Sequence, residues 1–119
     1  MTQANANDRR LTLALDALET LKGEDVKTLD VTELTTITDY MVICTGRSGR
    51  HVIRLGEELI KSAKEAGLQP GVEGLKGGEW ALIDLGGVVV HIMQPVTRAH
   101  YQLEKLWDIS AQPEQIQAD

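Results

Sequence analysis

Gly86-Gly87 splits the apolar segment Trp80–Met93 into two runs of strand-forming residues, and this feature restricts the fold more than any other. A two-residue glycine loop between such runs closes a β-hairpin. Pairing Leu85 with Val88 then sets the register of the whole segment. One face carries Ala81, Ile83, Leu85, Val88, Val90 and Ile92, all apolar, and is the expected core face. The opposite face carries Trp80, Leu82, Asp84, Val89, His91 and Met93. It mixes a carboxylate and an imidazole with large apolar groups, so it is expected to be at least partly open to solvent or to a partner.

The preceding chain supplies a sheet for this hairpin to join. Leu11, Ala14, Leu15, Leu18 and Leu21 follow helical spacing, with Asn7 or Asp8 as a candidate cap and Gly23 as a stop. Val26–Val31 reads as a first strand, and Thr35–Asp39 as a polar connection. Tyr40–Cys44 is a continuous apolar run, the pattern of a strand buried on both faces. Thr45–Gly49 breaks it, and Ser48 is placed to cap a helix bearing Val52, Leu55, Leu59, Ile60 and Ala63, which ends at Gly67. A further strand near Leu68–Val72 makes a βαβ unit, so part of the sheet should be parallel. Pro70-Gly71 makes that strand short or an edge. After Pro95, Thr97 is the expected cap of a last helix with Ala99, Leu103, Leu106 and Trp107 on one stripe. The reading is a single α/β domain over 9–110, in the order α-β-β-α-β-β-β-α, with a mixed sheet of about five strands. Residues 1–8 form a polar leader and 111–119 a frayed tail.

The chain has 119 residues, enough for one domain and too few for two. Twelve basic against eighteen acidic residues leave a net charge of −6. That is the wrong sign for bulk nucleic-acid binding, which needs lysine and arginine to neutralise phosphates. It suits a basic protein partner. Cys44 is the sole cysteine, within an apolar run, and is expected to be a small core hydrophobe in a reducing compartment. The leader lacks an apolar stretch, so neither a signal peptide nor a membrane span is expected, and the location is cytoplasmic.

Chemistry is sparse. No His/Cys/carboxylate cluster has metal-ligand spacing, and His51, His91 and His100 fall in separate elements, so no metal, cofactor or catalytic residue is assigned. The loop Thr45–Gly49 opens a helix, where free N–H groups suit an anion. It is also similar to the glycine–serine turn of nucleotidyltransferases, which need paired carboxylates for two metal ions. No such pair follows. An enzyme using Gly46 and Ser48 for phosphate and Asp84 for metal is the alternative reading, and a plain strand-to-helix turn is preferred. His51 and Asp39 read as a helix-start hydrogen bond and a strand-end turn. Asp84 reads as support for the Gly-Gly turn, and Trp107 as core. Trp80 stands between core and interface, because it shares the mixed face with Leu82 and Met93.

Several motifs in a fixed order resemble the Iojap/ribosomal silencing factor family. They are Asp39–Gly46 with Ser48 and His51; Glu73-Gly74, Trp80 and Asp84–His91; and the closing Tyr101–Trp107. The match runs from about Leu11 to Trp107. The resemblance implies an α/β fold similar to nucleotidyltransferases but without their catalytic acids. It also implies binding to a basic ribosomal protein, number fourteen of the large subunit, on the intersubunit face. The bound factor would block subunit joining and repress translation, above all when nutrients are short. The contact surface implied is around Trp80, with Leu82, Met93 and the acidic Glu73, Glu79 and Asp84 as partner-binding positions. A homodimer through the mixed face is a further possibility. Leu75–Gly78, just before Trp80, is glycine-rich and departs from the family pattern.

Overall fold

The computed structural model describes residues 6–107, and of Leu106 and Trp107 the backbone only. The elements in order are α1 (Ala6–Thr20), β1 (Glu24–Asp30), β2 (Tyr40–Thr45), α2 (Gly49–Glu65), β3 (Gly71–Glu73), a 3-10 turn (Leu75–Gly77), β4 (Trp80–Asp84), β5 (Val88–Met93), α3 (Pro95–Tyr101) and α4 (Leu103–Trp107). They form one sheet in the order β1-β2-β5-β4-β3. The β2–β5 pair is parallel and the other three are antiparallel, giving the expected mixed α/β architecture. β3 is three residues long and lies at an edge, as Pro70-Gly71 required.

The hairpin has the register set by its turn. Asp84 pairs with Val89, Ile83 with Val90, and so on to Trp80 with Met93, while the Leu85 N–H donates to the Val88 carbonyl at 2.8 Å. Gly86 has φ 104, which is why the turn needs glycine there. The expected core face is fully enclosed: Ala81, Ile83, Leu85, Val88, Val90 and Ile92 pack with Val42 and Cys44 of β2. Ala14, Ala17 and Leu18 of α1 and Val52, Leu55, Leu59 and Ala63 of α2 cover them. Burial pushes the Cys44 thiol up to about 11, with Arg98 pulling weakly the other way, so it sits as a core hydrophobe.

Five local expectations are corrected. Ala6 is already helical, so Asn7 and Asp8 lie within α1 and do not cap it. Its left-handed terminal residue is Lys22, φ 62, and the glycine at 23 leaves room instead: a Cβ there would meet Cys44 Sγ at 2.4 Å. The cap of α3 is Gln94, with Pro95 at the first helical position, where its missing N–H costs nothing; Thr97 lies inside the helix. The last helix is also broken, because Gln102 adopts a left-handed φ of 50 between α3 and α4. Ala99 is exposed rather than on a buried stripe. The side chain of Trp107 and the tail 111–119 lie outside the described residues.

Candidate functional site

The mixed face of the hairpin is mostly a second core. Met93, with none of its surface exposed, packs with Val31, Met41 and Ile43, and Leu29, Leu34, Trp80 and Leu103 close over them. Met93 is therefore removed from the partner-binding set, since no partner reaches it without unfolding this layer. Strand alternation told which way Met93 points, but not that the 31–34 turn and α4 would cover it.

Trp80 stands at the rim of this second core and is partly exposed. Its Nε1–H donates to His91 Nδ1 at 2.9 Å, which fixes the proton of the neutral imidazole on Nε2. His91 is buried, and burial lowers its pKa from 6.5 to about 4, so it stays neutral and keeps accepting from the indole. On its other side Trp80 meets Tyr101, with ring centroids 4.8 Å apart, and His100 lies edge-on to Tyr101 at the same separation. Tyr101 is 52% exposed and Val96, on the same helix, 81%. Sequence reading did not assign either one. Their exposure depends on how α3 leaves Met93, which no local pattern encodes.

The other candidate positions divide between two ends of the sheet. Leu82 is half-buried beside its exposed pair partner Glu73, and the exposed Glu79 directly precedes Trp80. These four share one region. Asp84 lies at the far end of β4, roughly 13 Å from Trp80 along the strand. Its Oδ1 accepts from the Gly86 N–H at 2.9 Å, the turn-supporting role. It is not brought together with Trp80 and Glu79. The same separation removes it from the Gly46–Ser48 loop, which leaves the sheet at the Thr45 end, so the two-part nucleotide reading has no common site.

That loop is a strand-to-helix turn with its polar groups engaged. Ser48 Oγ accepts from the His51 N–H at 3.2 Å, capping α2. The His51 ring accepts the Arg47 N–H on Nδ1 at 2.9 Å, so its Nε2–H donates to the Leu21 carbonyl at 2.8 Å. A cleft of about 500 Å³ lies beside the end of β2, around Arg98. Arg98 Nη1 donates to the Asp25 carbonyl at 2.7 Å and Thr45 Oγ1 at 2.8 Å, and its Nε to Glu104 at 3.1 Å. Burial works against the Glu104 carboxylate, but its own backbone N–H and Arg98 outweigh this and hold its pKa below the ordinary value. Arg98 thus ties α3, α4, the β1 bulge and β2 together through its Nε and Nη1 donors. Among the described residues no three His, Cys, Asp or Glu side chains are grouped to hold a metal ion. No helix there is long and apolar enough to cross a membrane.

The family profile described as "Ribosomal silencing factor during starvation" matches residues 3–119. A ribosomal silencing factor of Haemophilus influenzae is 46% identical over 94 residues, covering 78% of this chain and 92% of that one. One from Chromobacterium violaceum is 45% identical over 96 residues, covering 80% and 79%. The crystal structure of a Chromobacterium violaceum protein superposes with a TM-score of 0.82 at 43% identity, over 83% of each chain.

Proposed function

Because the chain belongs to the ribosomal silencing factor family, we propose that it binds the large ribosomal subunit through a basic protein, number fourteen of that subunit, and keeps the small subunit from joining. One observation carries this reading: the half-exposed, tilted Trp80–Tyr101 ring pair, with Leu82 and the exposed carboxylates of Glu73 and Glu79 in the same region of the sheet. A rigid aromatic pair at the centre with an acidic rim fits a basic partner, where aromatic residues supply the affinity and charges steer the encounter. The His91 acceptor and the second core beneath hold the indole in one orientation before any partner arrives, which reduces the ordering entropy of docking.

Exclusion needs no chemistry. The thinnest dimension of the protein is 21 Å, more than a close protein contact admits, so occupation of the intersubunit face is enough. The proposed action on ribosomes, together with the similarity to bacterial silencing factors, supports a cytoplasmic location. Silencing is a binding function, and no turnover is assigned to any residue.

Gradient sedimentation of small and large subunits with increasing protein tests the proposal. The expected result is loss of joined ribosomes, with the protein migrating on the large subunit. Joined ribosomes at undiminished levels under saturating protein would contradict it. A self-associated protein that never reaches the subunit would assign the aromatic face to a homodimer.

A further inference from the structure

Arg47, Arg50 and Arg54 gather round a depression of about 290 Å³ that Leu21, Ser48 and His51 complete, and no carboxylate lines it. The concentration is unusual in a chain of net charge −6. Arg47 is paired with Glu24 at 3.2 Å, both exposed. Arg50 and Arg54 are exposed, one helical turn apart on α2, and among the described residues neither has a hydrogen-bond or ion-pair partner. Two like charges at i and i+4 repel, and a bound anion would relieve this. His51 lines the cluster with both ring nitrogens already engaged, by the Arg47 N–H and the Leu21 carbonyl.

The position of the cluster matters as much as its charge. Thr45 pairs with Met93, and Met93 with Trp80, so the loop to α2 leaves the sheet at the end where Trp80 enters it. Gly49, at the start of α2, lies against Gly78 and the Gln94 side chain. Gln94 in turn donates to the Gly78 and Glu79 carbonyls at 2.8 and 3.0 Å. The arginines and the Trp80–Tyr101 pair therefore share one end of the molecule, on opposite layers of the sheet.

We infer that Arg50 and Arg54, assisted by Arg47, form a phosphate-gripping edge that holds the ribosomal RNA backbone beside the protein on which Trp80 docks. The inference rests on the proposed docking to the large subunit, whose surface around any one protein is largely RNA. Planar guanidiniums match phosphate oxygens two at a time. Net negative charge rules out indiscriminate binding along free RNA, but not a local contact made once the aromatic end has docked. The two contacts then act as linked modules, each raising the effective concentration of the other.

The test is co-sedimentation of the full chain with isolated large subunits across a salt series, for wild type, Arg50→Ala/Arg54→Ala and Arg50→Lys/Arg54→Lys, with ribosomal RNA footprinted in parallel. All three proteins should unfold at closely similar denaturant concentrations, since both side chains are exposed. The alanine pair should bind on the order of tenfold more weakly at physiological salt, with a salt dependence shallower by about one for each arginine. RNA protected by wild type should become accessible, and the lysine pair should recover most of the salt dependence. Equal affinity and salt dependence for wild type and the alanine pair would overturn the inference and leave the docking proposal standing. Weaker binding with no RNA protection in wild type would also overturn it, assigning the edge to an acidic protein. If wild type itself does not co-sediment, the docking proposal fails and this inference falls with it.

Discussion

At the Gly86-Gly87 end of the sheet, polar side chains find their partners inside the protein, while the Trp80 end combines engaged polar groups with exposed aromatic, apolar and arginine side chains. Asn7 donates to Asp39, Tyr40 donates to Asp8 at 2.9 Å, and Asp84 accepts from its own turn. The Asp39 and Tyr40 N–H groups both meet the Gly87 carbonyl at 3.0 Å. A Cβ on Gly87 would fall 2.1 Å from the Asn7 side chain, so the first turn of α1 sits directly on the hairpin turn. At the other end Tyr101 and Val96 are exposed, and Arg50 and Arg54 lack partners among the described residues. The two ends thus differ in what they leave exposed: the first is fastened by internal hydrogen bonds, and the second, although Ser48, His51 and His91 are engaged there, also carries exposed Tyr101, Val96, Arg50 and Arg54.

The division can be broken most severely from inside. Met93→Ala removes a fully buried side chain from the second core and should cost about 2–5 kcal/mol of stability in urea unfolding. The fraction that remains folded should still bind large subunits. A near-neutral effect would mean that the face below Trp80 is not a core.

Acid should act next most strongly, through His91. Its folded-state pKa is depressed to about 4 against 6.5 unfolded. Between those values the unfolded chain takes up a proton that the folded chain refuses, so stability falls as pH falls. The contribution should be fully present above about pH 6.5 and lost by about pH 4, amounting to about 3 kcal/mol. Denaturant unfolding at several pH values, compared with His91→Gln, checks it. Parallel curves for the two proteins would show that His91 has the same pKa in the folded and unfolded chain.

Asp39→Ala, at the fastened end, should cost about 1 kcal/mol, because it leaves Asn7 without its acceptor. Affinity for large subunits should not change. Impaired binding by a folded Asp39→Ala protein would erase the distinction between the two ends.

The hairpin, its register, the core face, the Ser48 cap and the short edge strand were all legible, because each depends on residues within a few positions of one another. The partition of the mixed face was not. Met93 is buried by Val31 and Ile43 and covered by Leu34 and Leu103, and Trp80 is oriented by His91 and Tyr101. Apart from His91, which shares the hairpin's mixed face with Trp80, those neighbours come from other elements. Asp39 and Tyr40 were recognisable as signature residues, but their partners Asn7 and Asp8 lie 32 positions away. For Asp84 the local reading, support of a turn, agrees with its geometry, whereas the family resemblance had grouped it with the contact residues.

The proposed docking requires Trp80 to serve binding more than folding. The most direct measurement is the affinity of folded Trp80→Ala for isolated large subunits, by co-sedimentation, beside its stability in urea. The prediction is a loss of about 2 kcal/mol or more in binding, roughly thirtyfold, with a smaller loss in folding. A folded Trp80→Ala protein that binds large subunits as tightly as wild type and still blocks joining would contradict it.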